Sequence, residues 1–341
     1  MEESNKSKST LEDVAKHCGV SIATVSRVIN QSSPVSQELE LRVRKAIKEL
    51  GFTPRQWKDY AATRTVILAV PDILNPYYAE IVNGAQEEAD RQGLALVILN
   101  VSENPELQRQ HLSVVTKWLF DGLVVAGTTI PSDFLVDIHK QYKMPIVVSR
   151  SLDTPQFPSI TPDYKIATYQ ATKYLLSLNH KRIAFISGPP DWISSRIRLE
   201  SIKLALEEVG LSLSSDLYRW CYPSIEEGAQ VVRELVSLAS GERPTAILAF
   251  NDLIAIGALR TIHALGLRVP QNISVIGYDD IEMAAYTIPA LTTIAQPSYR
   301  IGQLALKKVY DIVQGDFGIY GSTTLLECPL ILRESTGPSP Q

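Results

Sequence analysis

TLEDVAKHCGVSIATVSRVIN, residues 10–30, decides how the head of this chain is read. It has no strand-like alternation. Thr10 stands as an N-cap before LEDVAKHC at about 11–18, with Asp13 three residues on, and Gly19 ends the run. Gly19 takes the positive φ that a tight turn between two helices needs. Ser21 then caps IATVSRVIN, about 22–30. Its N-terminal end is short, polar or small (Ser21, Ile22, Ala23, Thr24, Ser26, Arg27), and Val25, Val28 and Ile29 form an apolar face. A recognition helix needs this division: one face docked, the N-terminal end aimed at base edges in the major groove. Arg27 suits a bidentate pair with guanine or a phosphate contact. A generic three-helix cap with a solvated polar face is the plainer alternative.

Outward from this stretch, QSSP leads to Ser36, which opens a third helix at about 37–50 with Glu38 and Glu40 in its first turns. Gly51 and Pro54 stop it. Leu11, Val14, Ala15, Val20, Val25, Val28, Ile29, Val43, Ile47 and Leu50 are its expected core. From residue 66 apolar runs alternate with helical stretches. The strands read VILAV (66–70), LALVILN (94–100), GLVVAG (122–127), PIVVS (145–149), RIAFIS (182–187), TAILAF (245–250) and ISVIGY (273–278). Helices fall near 78–92, 105–118, 164–178, 197–209, 225–238, 252–265 and 298–314. Continuous apolar strands alternating with helices imply parallel sheets covered on both faces. The strands are too many for one ordinary doubly wound domain, so two similar subdomains in tandem are expected.

The chain of 341 residues is 45% apolar and 21% charged, which excludes a wholly disordered or collagen-like polymer. Its net charge of −4 is uneven. Residues 1–64 carry 11 basic and 8 acidic side chains, leaving 22 basic and 29 acidic in the remainder. A basic head on an acidic body fits a nucleic-acid-binding arm. MEESNKSKST lacks the apolar region of a signal peptide, and no apolar run approaches the ~20 residues of a membrane helix. The expected place is the cytoplasm. Cys18, Cys221 and Cys328 form no zinc spacing and suit buried free thiols. No GxGxxG, P-loop or GxSxG motif occurs, and the histidines are scattered; His180 suits a helix end rather than a catalyst. No enzyme, metal or cofactor is expected.

Ligands in parallel α/β sheets bind beyond the carboxyl ends of strands. The candidates there are Asp72, Asn75, Tyr77 and Tyr78, then Arg150, Asp163, Asn251, Asp252 and Asp279, with Arg198 early in the next helix and Gln296 on the second chain return. Carboxylates, amides and an arginine suit hydroxyl recognition, and an aromatic ring suits the apolar face of a sugar. Asn251 and Asp252 equally suit a helix cap, and Asp72 with Asn75 a turn. Trp192 and Trp220 fit either a stacking surface or the core.

DVAKHCGVS, ATVSRVIN, Val35-Ser36 and AIKELGFTP closely resemble the DNA-binding headpiece of the lactose-repressor/galactose-repressor (LacI/GalR) family. The resemblance continues through NPYYAEI (75–81), DGLVVAG (121–127), LLSLNHKRIAFISGP (175–189), AFNDLIAIGALR (249–260), GLRVPQNISVIGYDD (266–280) and PALTTIAQP (289–297). It implies a homodimeric transcription regulator, a repressor of double-stranded operator DNA. It implies a core of two Rossmann-like subdomains like a periplasmic binding protein, holding a small effector, a sugar or sugar derivative. By this resemblance Asp163, Arg198, Asn251 and Asp279 match effector-contacting positions, and Arg150 matches an arginine of some sugar-responsive members. The DNA-contacting set is Thr10, Ser21, Ile22, Ala23, Thr24, Ser26, Arg27, Asn30 and Ser36. The effector set is Asp72, Asn75, Tyr77, Arg150, Asp163, Arg198, Asn251, Asp279 and Gln296.

The expected division is a helix-turn-helix headpiece over 1–55, a hinge over 56–65, a first core subdomain over 66–163 with 293–325, and a second over 164–292 with 326–341. In the family a hinge helix places a leucine in the minor groove. Here Tyr60 or Ala61 falls near that place and Lys58 replaces a small residue, so the segment reads either as an altered wedge or as an ordinary linker that does not bend DNA. TGPSPQ carries no heptads, which fits a dimer without a C-terminal coiled coil. The competing classes are a solute-binding protein without gene regulation and a sugar-metabolising enzyme.

Overall fold

A computed structural model of the chain describes residues 9–30, 35–52, 64–115, 120–127, 130–149, 156–239 and 241–340. Residues 56–63 of the expected hinge and Arg150 lie outside the described residues, as does the side chain of Asn30, and Thr65 at the end of the expected hinge already belongs to the first strand.

The head folds into α1 (Leu11–Cys18), α2 (Ile22–Asn30) and α3 (Gln37–Leu50). Thr10 and Asp13 form a reciprocal capping box: Thr10 Oγ1 accepts from Asp13 N at 3.2 Å, and the Asp13 carboxylate accepts from Thr10 N at 2.7 Å. That bonding holds the Asp13 carboxyl below its ordinary pKa. Gly19 turns at φ 64°, as the α1–α2 turn requires. Ser36 caps α3 by accepting from Leu39 N at 3.4 Å. Val14, Ala15, Cys18, Val25, Val28, Ile29, Val43, Ala46 and Ile47 pack together beneath.

The body has two six-stranded sheets. The first runs through β1 (Thr65–Val70), α4 (Pro76–Gln92), β2 (Ala95–Asn100), α5 (Pro105–Val115), β3 (Gly122–Ala126), α6 (Ser132–Tyr142), β4 (Ile146–Ser149) and β5 (Ser159–Pro162). The second runs through α7 (Tyr164–Ser177), β6 (Ile183–Ser187), α8 (Ile193–Glu207), β7 (Tyr218–Trp220), α9 (Ile225–Ser237), β8 (Ala246–Ala249), α10 (Asp252–Ala264), β9 (Ser274–Asp279), α11 (Glu282–Tyr286) and β10 (Thr292–Ala295). The chain then gives α12 (Ser298–Val313), β11 (Thr323–Leu326) and β12 (Leu330–Ile331). Strand order is β11-β5-β4-β3-β1-β2 in one sheet and β12-β10-β9-β8-β6-β7 in the other. All pairs are parallel except β10 with β12.

Continuous apolar strands fit because both sheet faces are covered. Val66, Leu68 and Val70 join the core that holds Ile81, Ala85 and the α12 residues Ile301 and Ala305. Ile67 and Ala69 join the opposite core with Leu112 and Leu135. This period of two splits one apolar run between two layers. β2 is an edge strand with Val97 and Ile98 partly exposed.

Two boundaries are corrected. Residues 292–295 stay in the second sheet, where Thr293 faces Gly277 and Ile294 faces Tyr278, so the return to the first subdomain follows Gln296 rather than falling near 293. Buried Thr293 donates to Asp252 at 2.6 Å, which holds that strand in place. Residues 323–326 pair with β5, so the first sheet closes at Leu326, one residue beyond the expected boundary at 325. α12 does return to the first subdomain, because it and α4 touch through glycines. A methyl at Gly84 would strike the Tyr299 carbonyl, and one at Gly302 the Ile81 carbonyl. Helix α6 has no counterpart in the sequence reading, and α8 begins four residues before the expected 197.

Candidate functional site

The first candidate surface is the N-terminal end of α2. Ser21, Ile22, Ala23 and Arg27 are exposed, Thr24 and Ser26 are half-buried, and Val25, Val28 and Ile29 are buried. Ser21 Oγ accepts from Thr24 N at 3.1 Å and lies 2.8 Å from Thr24 Oγ1. Ile22 is 44% exposed, which an apolar side chain on a capped helix does only when nothing in its own head covers it. Thr10 and Ser36 use their hydroxyls as caps of α1 and α3 and remain exposed.

The second is a cavity of about 340 Å³ at the carboxyl ends of the strands of both sheets. The first subdomain supplies Asn75, Tyr77, Tyr78, Glu103 and the stretch Ile130–Ser132. Asn75 caps α4 through Tyr77 N at 3.1 Å, which turns both tyrosines inward, edge to face at 5.0 Å between ring centroids. Gly127 lies under the Tyr78 ring; any side chain there would occupy the ring's place. Burial pushes both tyrosine hydroxyls well above their ordinary pKa, so they stay protonated.

The second subdomain supplies Tyr164, Trp192, Arg196, Arg198, Phe250, Asn251 and Asp279, and Gln296 follows β10. Arg198 is 3% exposed. Its guanidinium donates through Nη1 to the Phe250 carbonyl and stacks on three rings, 3.6 Å from the Tyr278 centroid, 4.3 Å from Phe250 and 4.9 Å from Tyr164. Its Nε and the Gln296 Oε1 are buried without a hydrogen-bond partner among the described residues. Buried polar atoms without partners cost stability, and lining a cavity they mark where a ligand completes the bonding. Asn251 caps α10 by accepting from Ile254 N at 3.0 Å and also lines the cavity.

Asp279 sits at φ 123° and Asp280 at φ 58°, so the chain turns sharply after β9. The two carboxylates diverge. Asp279 accepts from Gln296 Nε2 in the cavity, and Asp280 pairs with Arg333 at 2.7 Å. Asp252 braces this turn by accepting from Ile281 N at 2.9 Å. Burial raises the pKa of the Asp279 carboxyl and the Asp252 charge raises it further; Arg198 and Gln296 oppose the rise.

Of the expected effector set, Asn75, Tyr77, Arg198, Asn251, Asp279 and Gln296 meet at this cavity. Asp72 and Asp163 do not line it. Asp72 accepts from Leu74 N at 2.9 Å in the turn before α4, and Asp163 accepts from Ile166 N at 3.1 Å as the cap of α7. Trp192 lines the cavity beside Phe250, at 5.7 Å between centroids, whereas Trp220 is half-exposed outside it beside Tyr222. The sequence reading missed Glu103, Tyr164 and Phe250. Phe250 directly follows β8, Tyr164 opens α7 two residues after β5, and Glu103 lies three residues beyond β2, so all three sit near strand ends; the sequence reading had Phe250 in a strand and Tyr164 in a helix and made no assignment of Glu103. His180 lies outside the cavity, buried between Thr245 and Gly337. Cys18, Cys221 and Cys328 are free and buried. Among the described residues no three metal-binding side chains cluster, and no helix is long and apolar enough to cross a membrane.

Two family models match the chain. Bacterial regulatory proteins of the lacI family match residues 10–55, and the periplasmic binding proteins and sugar binding domain of the LacI family match residues 63–332. The HTH-type transcriptional repressor CytR of Escherichia coli (strain K12) is 32% identical over 336 residues, 97% of each chain. The structure is similar to a complex of the transcriptional regulator CelR with cellobiose, at TM-score 0.72 and 30% identity over 96% of this chain and 100% of that one. It is similar to the lac repressor dimer bound to operator and the anti-inducer ONPF, at TM-score 0.74 and 29% identity over 97% and 99%. Headpiece and cavity together define a DNA-binding transcriptional regulator under effector control. The chain belongs to the LacI family of bacterial regulatory proteins.

Proposed function

We propose that the protein is a homodimeric repressor that releases or holds operator DNA according to a sugar-like effector in the 340 Å³ cavity. The carrying observation is the pairing of two unsatisfied buried polar atoms, on Arg198 and Gln296, with an aromatic wall at the meeting of the two subdomains. Hydroxyls satisfy such groups, and rings such as Trp192 and Tyr77 take the apolar face of a sugar. Asn75, Tyr77, Arg198, Asn251, Asp279 and Gln296 are the proposed effector contacts. Arg150 belongs to the same proposal on the family resemblance. Sugar phosphates and sugar acids fit the Arg198 fork as well.

Ser21, Ile22, Ala23, Thr24, Ser26 and Arg27 are the proposed DNA contacts, with Thr10, Asn30 and Ser36 at their flanks. Two heads in a dimer match a near-palindromic operator. Effector binding the two arrangements of the subdomains unequally shifts the dimer contact and the spacing of the heads. Acting on DNA places the protein in the cytoplasm, and regulation needs no catalysis. An electrophoretic shift assay with genomic DNA upstream of neighbouring genes, with and without a sugar panel, tests this. No shift of any fragment, or shifts that no sugar alters, would count against it. Light scattering at micromolar concentration tests the dimer; a stable tetramer would contradict it.

A further inference from the structure

The cavity's two sides differ in charge. The second subdomain brings the arginines, Arg196 and Arg198, both from α8. Arg198 is committed to the Phe250 carbonyl and its three rings. Among the described residues, the side built by the first subdomain carries a carboxylate instead. Glu103, three residues beyond β2, lines the cavity and has no hydrogen bond or ion pair among the described residues. Its charged neighbour is another acid, Asp72, and Tyr78 stands beside it. Burial, and then the Asp72 charge, raise Glu103 to about 7. Among the described residues no cation answers either acid. Arg198 and Gln296, both more than nine-tenths buried, line the same cavity and carry an unpartnered Nε and Oε1.

We propose that the effector carries a protonated amine at the end that meets the first subdomain, where Glu103 accepts it, and hydroxyls at the end that meets Arg198 and Asp279. An amino sugar or a small amine-bearing glycoside is the class. This rests on the reading of the cavity as the effector site. A neutral hydroxyl gives Glu103 one hydrogen bond and leaves its charge without a counter-ion. An ammonium gives a charge-assisted bond and neutralises the pair. The adjacent ring of Tyr78 favours a cation in the same place.

The test is calorimetry on the full chain with two matched pairs, glucosamine with glucose and galactosamine with galactose. The expected result is an amine at least tenfold tighter than its neutral partner in one pair. Glu103→Gln should remove that preference while changing the neutral sugar's affinity less than threefold. Glu103→Lys should reverse it. Thermal unfolding of both variants, expected to match the parent because Glu103 is only half-buried, excludes a folding defect. A neutral sugar that binds as tightly as its amine, or a preference that survives Glu103→Gln, overturns the proposal and leaves the effector cavity standing. Failure of all four sugars to bind overturns both.

Discussion

The guanidinium carbon of Arg198 lies over the ring of Tyr278, 3.6 Å from its centroid, one residue before Asp279. Strand β9 therefore positions the cation from below and the carboxylate beside it. Arg198→Ala removes a fork whose Nε awaits a partner, and Arg198→Lys keeps the charge without the fork. Losing a charged hydrogen bond costs roughly 1.5–3 kcal/mol, so effector affinity should fall about ten- to a hundredfold in both variants. Calorimetry with the sugar that binds the parent checks this. A variant that binds and responds like the parent would sink the assignment.

Arg27 is exposed in the last turn of α2 and is not part of the packed cluster of Val25, Val28 and Ile29. Arg27→Ala should weaken binding to the cognate operator by roughly 1–3 kcal/mol, and most at one base position, if the guanidinium reads guanine. A uniform loss across sequences with a shallower salt dependence would instead assign Arg27 to phosphate. Equal affinity for every duplex removes it from the interface.

Gly302 has no room for a side chain, since its Cβ would meet the carbonyl of Ile81 and the N–H of Ala85 on α4. Gly302→Ala should destabilise the first subdomain by about 1–3 kcal/mol, the range for overpacked contacts. Gly241, with open space around it, is the control, and Gly241→Ala should leave the denaturation midpoint nearly unchanged. A Gly302→Ala midpoint equal to that of the parent would contradict the close approach.

His180 is fully buried, its Nε2–H donating to Gly337 O at 2.9 Å and its Nδ1 3.0 Å from Thr245 Oγ1. Burial depresses its pKa below 6.5. The folded state thus prefers the neutral ring. Its stabilisation is present above the unfolded pKa near 6.5 and is lost as pH falls through the lower folded value. Unfolding free energy should drop on acidification below about pH 6.5, and less so in His180→Gln. Identical pH slopes for the two proteins would refute the role of this ring.

Much of this was legible because it is local. Capping residues at Thr10, Ser21 and Ser36, and apolar runs such as VILAV, depend on neighbours a few positions away. The six candidate residues that meet at the cavity followed from their places near strand ends and from the family resemblance. What was not legible depends on distant partners. Asp163 and Asp72 sit at strand ends too, but a free helix N-terminus and a turn claim their carboxylates. Whether LTTIA stays beside β9 or leaves with α12 is decided by Asp252, 41 positions earlier in the chain. Glu103 drew no assignment from the sequence because its significance depends on which charges stand near it in three dimensions.

The interleaved path of the backbone sets an order on how the molecule can come into being. The first sheet lacks its edge strand β11, and α4 lacks its cover α12, until residues 298–326 exist. The second sheet lacks β12 until residue 331. During synthesis the headpiece can close early from its own local contacts, whereas the first half of the body waits for residues 323–326 and the second for residues 330–331 to leave the ribosome. Both lobes thus mature almost together, after the DNA-reading part is already formed.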